Sequence, residues 1–188
     1  MSNSGQQGGS GPATPPAAGG THVARAGLMD YLGSLGIETT TLEHPAVFTV
    51  AESEAVEKAI PGGHTKNLFL KDAKGALYLI TALASTEVDL KGLPKVIGSA
   101  RLSFGRAELL AEVLGVTPGS VTAFALLNDR GHKVQFVLDQ ALMAYDIING
   151  HPLENTATTS IARDDLLRFS RATGHEPQIV SLSGSPMA

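Results

Sequence analysis

The chain has 188 residues, of which 43% are hydrophobic and 17% are charged. This length and composition are typical of a globular protein with one hydrophobic core. The sequence contains no cysteine, which excludes disulfides, thiolate nucleophiles and cysteine-ligated metal sites. A net charge of -4 argues against a protein that coats nucleic acid by bulk electrostatic attraction.

The sequence has no feature that predicts a membrane protein. No apolar run reaches the roughly 18 residues that a membrane-spanning helix needs. The amino-terminal residues are small and polar, and they lack the apolar segment of a secretory signal. We therefore expect a cytoplasmic protein that makes no contact with a membrane.

The first predicted elements follow an uncharged tail. Residues 1–22 are rich in Gly, Pro, Ala and Ser and contain no Lys, Arg, Asp or Glu, so we expect a disordered tail before a single domain at residues 23–188. The domain begins with a helix that stops at Gly36, and a strand follows at 37–42. The apolar residues at helical spacing in that helix are Leu28, Tyr31, Leu32 and Leu35.

The rest of the chain is predicted to alternate strands and helices. Thr49 and Glu52 have the spacing of a capping box, and turn-forming residues at 128–131 and 149–150 predict two hairpins. The predicted elements are a helix at 51–59, strands at 67–71 and 76–83, a helix that Ser103 caps, strands at 121–126, 133–138, 145–148 and 153–159, a helix that Ser160 caps, and a strand at 178–182. This order predicts an α+β fold around a mixed, largely antiparallel β-sheet flanked by helices.

Basic residues are concentrated between Lys58 and Arg106. This segment, the basic block, contains eight basic residues and only three acidic ones, Asp72, Glu87 and Asp89. Such a block suits an anionic ligand such as a phosphate chain, and binding would then depend on salt. An ordinary solvated surface would give the same count, so both interpretations stay open.

The common signatures of metal and cofactor enzymes are absent from the sequence. The six histidines are dispersed, and none has metal-ligand spacing. The sequence contains no phosphate-binding loop, no dinucleotide fingerprint and no nucleophile elbow. We therefore expect neither a metal nor a cofactor.

Two junctions place polar residues beside predicted strands. The segment PGGHTKNLFL at 61–70 delivers Lys66 to the start of an apolar strand, on the same face as Leu68 and Leu70. This lysine either extends along the edge of the core into solvent or points into a pocket. The segment NGHP at 149–152 presents His151 as a hydrogen-bond donor, a general base or a surface turn residue.

A further segment could contribute hydroxyl groups to a site. Residues 155–160 read NTATTS, which is compatible with a polar pocket lining or with an ordinary β-branched strand that leads to a helix cap.

Five separated motifs resemble the YbaK/ProX superfamily of aminoacyl-tRNA editing domains. They are EHPAVFT at 43–49, HTKNLFL at 64–70, RLSF at 101–104, GVTPGSVT at 115–122 and GHPLEN at 150–155. The resemblance extends over about residues 24–182 and is strongest to the free-standing ProXp-ala (PrdX-type) proteins. These are relatives of the editing domain inserted in bacterial prolyl-tRNA synthetases, and they hydrolyse alanine mischarged on proline tRNA.

The resemblance implies a barrel-like editing-domain fold and a set of site residues. It implies that Lys66 is the essential lysine, which we assign to holding the phosphate or ribose oxygens at the tRNA 3' end. His151 would form the opposite wall and contact the substrate or the water, as a positioning residue rather than a base, because the free ribose 2'-hydroxyl is thought to assist the reaction in this family. The substrate-binding candidates are Asn67, Gly150, Ser99 and Thr158.

The function that the resemblance implies is metal-independent hydrolysis of Ala-tRNA(Pro) in trans. Alternatives are a deacylase for cysteine or serine on tRNA, a tRNA-binding or synthetase-binding module without catalysis, and a hydrolase of small esters or amides. The expected partners are the 3' end and acceptor stem of a mischarged tRNA, with prolyl-tRNA synthetase as a further candidate. The sequence does not determine the oligomeric state.

Overall fold

The computed structural model describes residues 21–184, in which five α-helices and eight β-strands are formed. The helices are α1 (Arg25–Ser34), α2 (Val50–Ala59), α3 (Leu93–Ile97), α4 (Ala107–Leu114) and α5 (Arg163–Ala172). The strands are β1 (Thr39–Glu43), β2 (Gly63–Asp72), β3 (Leu77–Leu83), β4 (Leu102–Phe104), β5 (Val134–Asp139), β6 (Ile147–Gly150), β7 (Ala157–Ala162) and β8 (Gln178–Val180). The predicted tail lies outside the described residues, except for Thr21 and His22.

The eight strands form one mixed sheet. Its order is β1-β7-β6-β2-β3-β5-β8, with β4 beside β2. Four pairings are antiparallel and three are parallel. The predicted α+β class with a mixed, largely antiparallel sheet is therefore confirmed. None of the helices within residues 21–184 is long and apolar enough to cross a membrane.

The sheet separates two hydrophobic clusters, because successive side chains of a strand point to opposite faces. On β2, Phe69 belongs to the larger cluster and Leu70 to the smaller one, and on β3 the same division holds for Leu79 and Ile80. Helices α1, α4 and α5 cover the larger cluster, and α3 covers the smaller one. The core therefore lies on both faces of the β2–β3 hairpin.

The predicted strand at 121–126 is wrong. Ala123–Asn128 forms a 3₁₀ helix, and all six of its residues are buried. A short apolar run that is buried on every side has no periodicity that distinguishes a strand from a helical turn. With no strand at 121–126 to pair with, β5 lies parallel to β3 instead of forming a hairpin.

The predicted turn at Asn149 and Gly150 is also wrong, because both residues belong to β6. The antiparallel pairing of β6 with β7 is present, but the connection runs through residues 151–156. The Asn-Gly pair lies inside the sheet because Asn149 pairs with His64 of β2 on one side and with Ser160 of β7 on the other.

Two serines that were expected to cap helices lie in strands instead. Ser103 is in β4 and Ser160 is in β7, and the caps of α4 and α5 are Arg106 and Ala162. The Ser160 hydroxyl donates to Asn149 Oδ1 at 2.5 Å. Its hydrogen-bonding capacity is therefore used across the sheet rather than at a helix end.

Two glycines permit a close approach of β2 to β6. Gly62 has φ of +114°, and a Cβ at this position would lie 2.8 Å from the Ile147 carbonyl oxygen. A Cβ at Gly63 would lie 2.9 Å from Cγ of Tyr145. Only glycine fits this junction without displacing the neighbouring strand, and the junction brings the start of β2 beside the end of β6.

Helix α2 begins with the predicted capping box. The Thr49 hydroxyl accepts from the Glu52 amide at 3.2 Å, and the Glu52 carboxylate accepts from the Thr49 amide at 2.9 Å. None of the helix's residues is buried. Its position therefore depends strongly on its cap and on the walls of the site that it covers.

Candidate active site

A cleft of about 620 Å³ opens between α2 and the start of β2. Its walls are residues 47–50, one face of α2, Thr65 and Lys66 near the start of β2, and residues 84–85. Lys66 therefore lies at the wall of a cleft, and its role there stays a prediction.

A cavity of about 40 Å³ adjoins the cleft. His64, Asn149, Gly150, His151 and Thr158 form its floor and walls, and α2 covers it. The residues that line both the cleft and the cavity are Val47, Ser53, Glu57 and Thr65. The cleft that Lys66 lines and the cavity that His151 lines are therefore neighbours with a shared wall.

The Lys66 ammonium has no ion-pair or hydrogen-bond partner within residues 21–184. The side chain is half-buried and has the same strand parity as Leu68 and Leu70, which belong to the smaller hydrophobic cluster. A half-buried lysine without a carboxylate partner is available to an anionic ligand.

The His151 imidazole is held by one hydrogen bond. Its Nδ1 lies 3.1 Å from the Ala157 carbonyl oxygen, and because a carbonyl only accepts, Nδ1 must donate the proton. Burial lowers the pKa of His151 and a charge on His44 acts in the same direction, while the bond to Ala157 opposes them. The neutral ring therefore keeps a free Nε2 lone pair, which has no partner among the described residues.

His44 contacts Thr158, a residue of the cavity wall, and was not among the predicted site residues. Its Nδ1 donates to the Pro45 carbonyl oxygen at 2.8 Å, so in the neutral ring Nε2 accepts from the Thr158 hydroxyl at 2.8 Å. The His44 and His151 rings are 6.5 Å apart. His44 thus fixes the orientation of Thr158 and approaches His151.

An ion-pair network holds the loop that follows His151. Arg25 at the start of α1 binds Glu43 and lies 2.8 Å from Glu154, both with charge-assisted hydrogen bonds. The bond from Arg25 is the main cause of the lowered pKa of Glu43. The network joins α1, the end of β1 and the 151–156 loop, so it restrains the backbone next to His151.

The structure brings together four of the six predicted site residues. Lys66 lines the cleft, and His151, Gly150 and Thr158 line the cavity. The two others line neither hollow within the described part of the chain, and their side chains are engaged elsewhere.

The two outlying residues have identifiable partners. Asn67 is on the opposite face of β2 from Lys66, and its Oδ1 accepts from the Thr81 hydroxyl at 2.6 Å. Ser99 follows α3, where its hydroxyl donates to the Ala100 carbonyl oxygen at 2.8 Å. Asn67 lies outside the site because neighbouring residues of a strand point to opposite faces of the sheet. Ser99 lies outside it because it belongs to the connection between α3 and β4, which was not predicted.

Helix α2 contributes four residues to the cleft that were not predicted as site residues. Val50, Ser53, Glu54 and Glu57 all line the cleft, and their spacing of three and four residues places them on one helical face. That stripe was visible in the sequence, but nothing local indicated that it covers a site. Within residues 21–184 no three His, Asp or Glu side chains are grouped to hold a metal.

Comparison with known proteins identifies the family. Residues 44–169 match the sequence profile of the aminoacyl-tRNA editing domain. This chain belongs to the aminoacyl-tRNA editing domain family. The match includes every residue that lines the cavity.

Two relatives of this editing domain have names that refer to prolyl-tRNA or its synthetase. It is 40% identical over 162 residues to prolyl-tRNA synthetase associated domain-containing protein 1 of Mus musculus, covering 84% of this chain and 95% of the relative. It is 35% identical over 160 residues to the prolyl-tRNA editing protein ProX of Acetoanaerobium sticklandii, covering 85% and 98%. The predicted resemblance to YbaK/ProX-type editing domains is therefore confirmed.

A solved structure shares the fold of this editing domain. The crystal structure is described as that of a candidate trans-editing enzyme for prolyl-tRNA synthetase, with a TM-score of 0.65 and 21% identity. The alignment covers 86% of this chain and 96% of the other. At this level of identity the comparison shows a common fold.

Proposed function

We propose that this editing domain hydrolyses alanine from mischarged Ala-tRNA(Pro) as a free-standing enzyme. The observation that carries the proposal is the unpaired Lys66 ammonium in a cleft that shares four lining residues with the small cavity beside His151. The family match and the ProX relative support this reaction class.

Lys66 binds the anionic end of the substrate. The 3' end of an aminoacyl-tRNA carries a phosphodiester next to the terminal adenosine, and a lysine ammonium is a compact charge that suits a phosphate. Holding the adenosine places the ester carbonyl at the cavity. This converts binding energy into orientation of the reacting group.

His151 orients the attacking water. Its neutral Nε2 can accept a hydrogen bond from water while Nδ1 remains bound to the Ala157 carbonyl oxygen. Water adds to the ester carbonyl, the bond to the ribose oxygen breaks, and that oxygen takes up a proton. The products are free alanine and uncharged tRNA, and none of these steps needs a metal or a cofactor. The free ribose 2'-hydroxyl assists, as the family resemblance implies.

The size of the cavity selects the amino acid. A hollow of about 40 Å³ beside Gly150 and Thr158 suits a methyl group better than a pyrrolidine ring. A synthetase active site distinguishes two amino acids that differ by one methylene only about 10- to 200-fold. A separate editing site that is too small for the cognate amino acid adds to this selectivity, because it admits only the smaller one. Asn67 contributes through its backbone, and Ser99 would act only on a more distant part of the tRNA.

The first experiment measures alanine release from Ala-tRNA(Pro) in the presence of a chelator. We expect hydrolysis by the wild-type protein, and a loss of at least about 100-fold in kcat/KM for Lys66→Ala, because the substrate end is no longer held. The control Lys133→Ala removes an exposed lysine outside the site and should keep full activity. An active, folded Lys66→Ala variant would remove the mechanism.

A panel of mischarged tRNAs tests the amino-acid specificity. Faster release of cysteine or serine than of alanine would assign the protein to another small residue, since both side chains also fit a small cavity. Binding of tRNA without any hydrolysis would instead support a tRNA-binding or synthetase-binding module.

A further inference from the structure

Glu57 is the one charged residue among the four that line both the cleft and the cavity. It lies on the covered face of α2 and is half-buried. Ser53, one helical turn earlier, lines the same two hollows. A carboxylate is therefore present at the point where the two spaces meet.

The Glu57 carboxylate has no hydrogen bond or ion pair within residues 21–184. Two other polar groups of the cavity are already engaged. The Thr65 hydroxyl donates to the Asn149 carbonyl oxygen at 2.7 Å, and the Thr158 hydroxyl is bound to His44. The Glu57 carboxylate is available to a ligand, and its negative charge suits a cationic one.

Three charged residues without partners in the described part of the chain line the cleft, Lys66, Glu54 and Glu57, and only Glu57 of these also lines the cavity. The end of an aminoacyl-tRNA also carries two opposite charges, a phosphodiester and the α-ammonium group of the amino acid. An α-amino group has an ordinary pKa of about 8 and is largely protonated at neutral pH. When the phosphodiester is bound at Lys66 and the methyl group of the esterified alanine is in the cavity, the α-ammonium group of the alanine lies towards the border between the cleft and the cavity.

We infer that the Glu57 carboxylate binds the α-ammonium group of the esterified amino acid, so that a charged amino group is part of what the site recognises. This inference rests on the proposed function and adds a determinant to it. A charge-assisted hydrogen bond of this kind contributes to substrate binding, and it is lost when the substrate lacks the ammonium group.

The test compares two esters of the same size on proline tRNA. One is the alanyl ester, and the other is the lactyl ester, in which a neutral hydroxyl replaces the ammonium group. The preference is the ratio of kcat/KM for alanyl to that for lactyl, measured for wild-type protein and for Glu57→Gln. We expect Glu57→Gln to lower this ratio by about 10- to 100-fold, through loss on the alanyl ester alone.

Two matched variants accompany Glu57→Gln. Glu112→Gln changes an exposed glutamate on α4, outside both hollows, and should hydrolyse both esters as the wild type does. Glu54→Gln changes a glutamate that lines the cleft but not the cavity. It should leave the ratio unchanged.

The outcomes separate this inference from the proposed function. A ratio that Glu57→Gln leaves unchanged, or an equal loss on both esters, would overturn the role of Glu57 while leaving the hydrolase intact. A wild-type protein that hydrolyses neither ester would overturn the proposed function itself, and the inference with it.

Discussion

The charged residues Lys66 and Glu57 of the site have fewer hydrogen-bond partners than the buried polar residues of the core. His175 and Asp129 are both buried and lie 2.9 Å apart, and the Lys133 and Val134 amides also donate to Asp129. Burial opposes ionisation of Asp129, but these hydrogen bonds keep its pKa below the ordinary value. Lys66 and Glu57 lack such partners, so their charges are available to a ligand.

The lowered pKa of His151 predicts a pH-dependent stability. In the folded protein the ring resists protonation because it is buried, whereas in the unfolded chain it takes up a proton at its ordinary pKa of about 6.5. The unfolded state therefore binds more protons below about pH 6.5, and the free energy of unfolding falls as the pH falls through that value. Urea denaturation at about pH 7.5 and pH 5.5 measures the difference.

The variant His151→Asn isolates this contribution. Asparagine can still donate to the Ala157 carbonyl oxygen but does not titrate, so the fall in stability at low pH should be smaller than in the wild type. The variant His132→Asn changes an exposed histidine and should resemble the wild type. An identical pH dependence in His151→Asn and wild type would show that His151 titrates normally.

At the scale of elements, the site depends on a glycine junction and on a capped helix. The junction at Gly62 and Gly63 brings β2 against β6, which places the cleft lined by Lys66 beside the cavity lined by His151. Helix α2 covers both spaces without burying any of its own residues. The strands therefore provide the rigid part of the site, and the helix provides its cover.

Gly62→Ala should destabilise the protein by more than about 3 kcal/mol, because strain at positive φ costs about 1 to 3 kcal/mol and a steric clash is added. The new Cβ would meet the Ile147 carbonyl oxygen and the Asn149 side chain. Gly75→Ala is the matched control, since Gly75 also has positive φ but a Cβ added there would have no other atom within 4 Å. Urea denaturation of both variants separates the backbone strain from the steric clash. Equal losses in the free energy of unfolding for the two variants would contradict the close approach of Gly62 to Ile147.

At the scale of the whole molecule, part of the basic block gathers around the β2–β3 turn. Lys71 pairs with Ser103 of β4, and the Ala73 amide donates to the Arg101 carbonyl oxygen at 2.9 Å. Sheet pairing thus brings Lys71 and Arg101 close to each other at the end of β2, five residues along the strand from Lys66. Contact of the basic block with the acceptor stem stays a prediction.

Binding of proline tRNA should weaken with salt, and the slope of log K against log salt should decrease by about one for each lost phosphate contact. We expect this decrease for Lys71→Ala and for Arg101→Ala. Lys133→Ala, outside the block, should leave the slope unchanged. Slopes equal to that of the wild type in all variants would make the block an ordinary solvated surface.

The sequence by itself determined the fold class, the β2–β3 hairpin, the capping box of α2 and the parity of Lys66, because these depend on local periodicity and local hydrogen bonds. The segments NGHP at 149–152 and NTATTS at 155–160 drew attention to His151 and to the hydroxyls that include Thr158, and the family resemblance implied roles for them. The pattern did not reveal the 3₁₀ helix at Ala123–Asn128, since uniform burial leaves no period to read.

The tertiary structure alone decided which residues share the site. The parallel pairing of Gly63 with Ile148 and of His64 with Asn149 joins segments 85 residues apart, and no local pattern specifies such a pairing. The same contact converts the Asn149-Gly150 turn signal into a strand, and it leaves Glu57 of α2 above the cavity. Long-range packing overrides local preference there because the burial of two strands stabilises the fold more than one turn does.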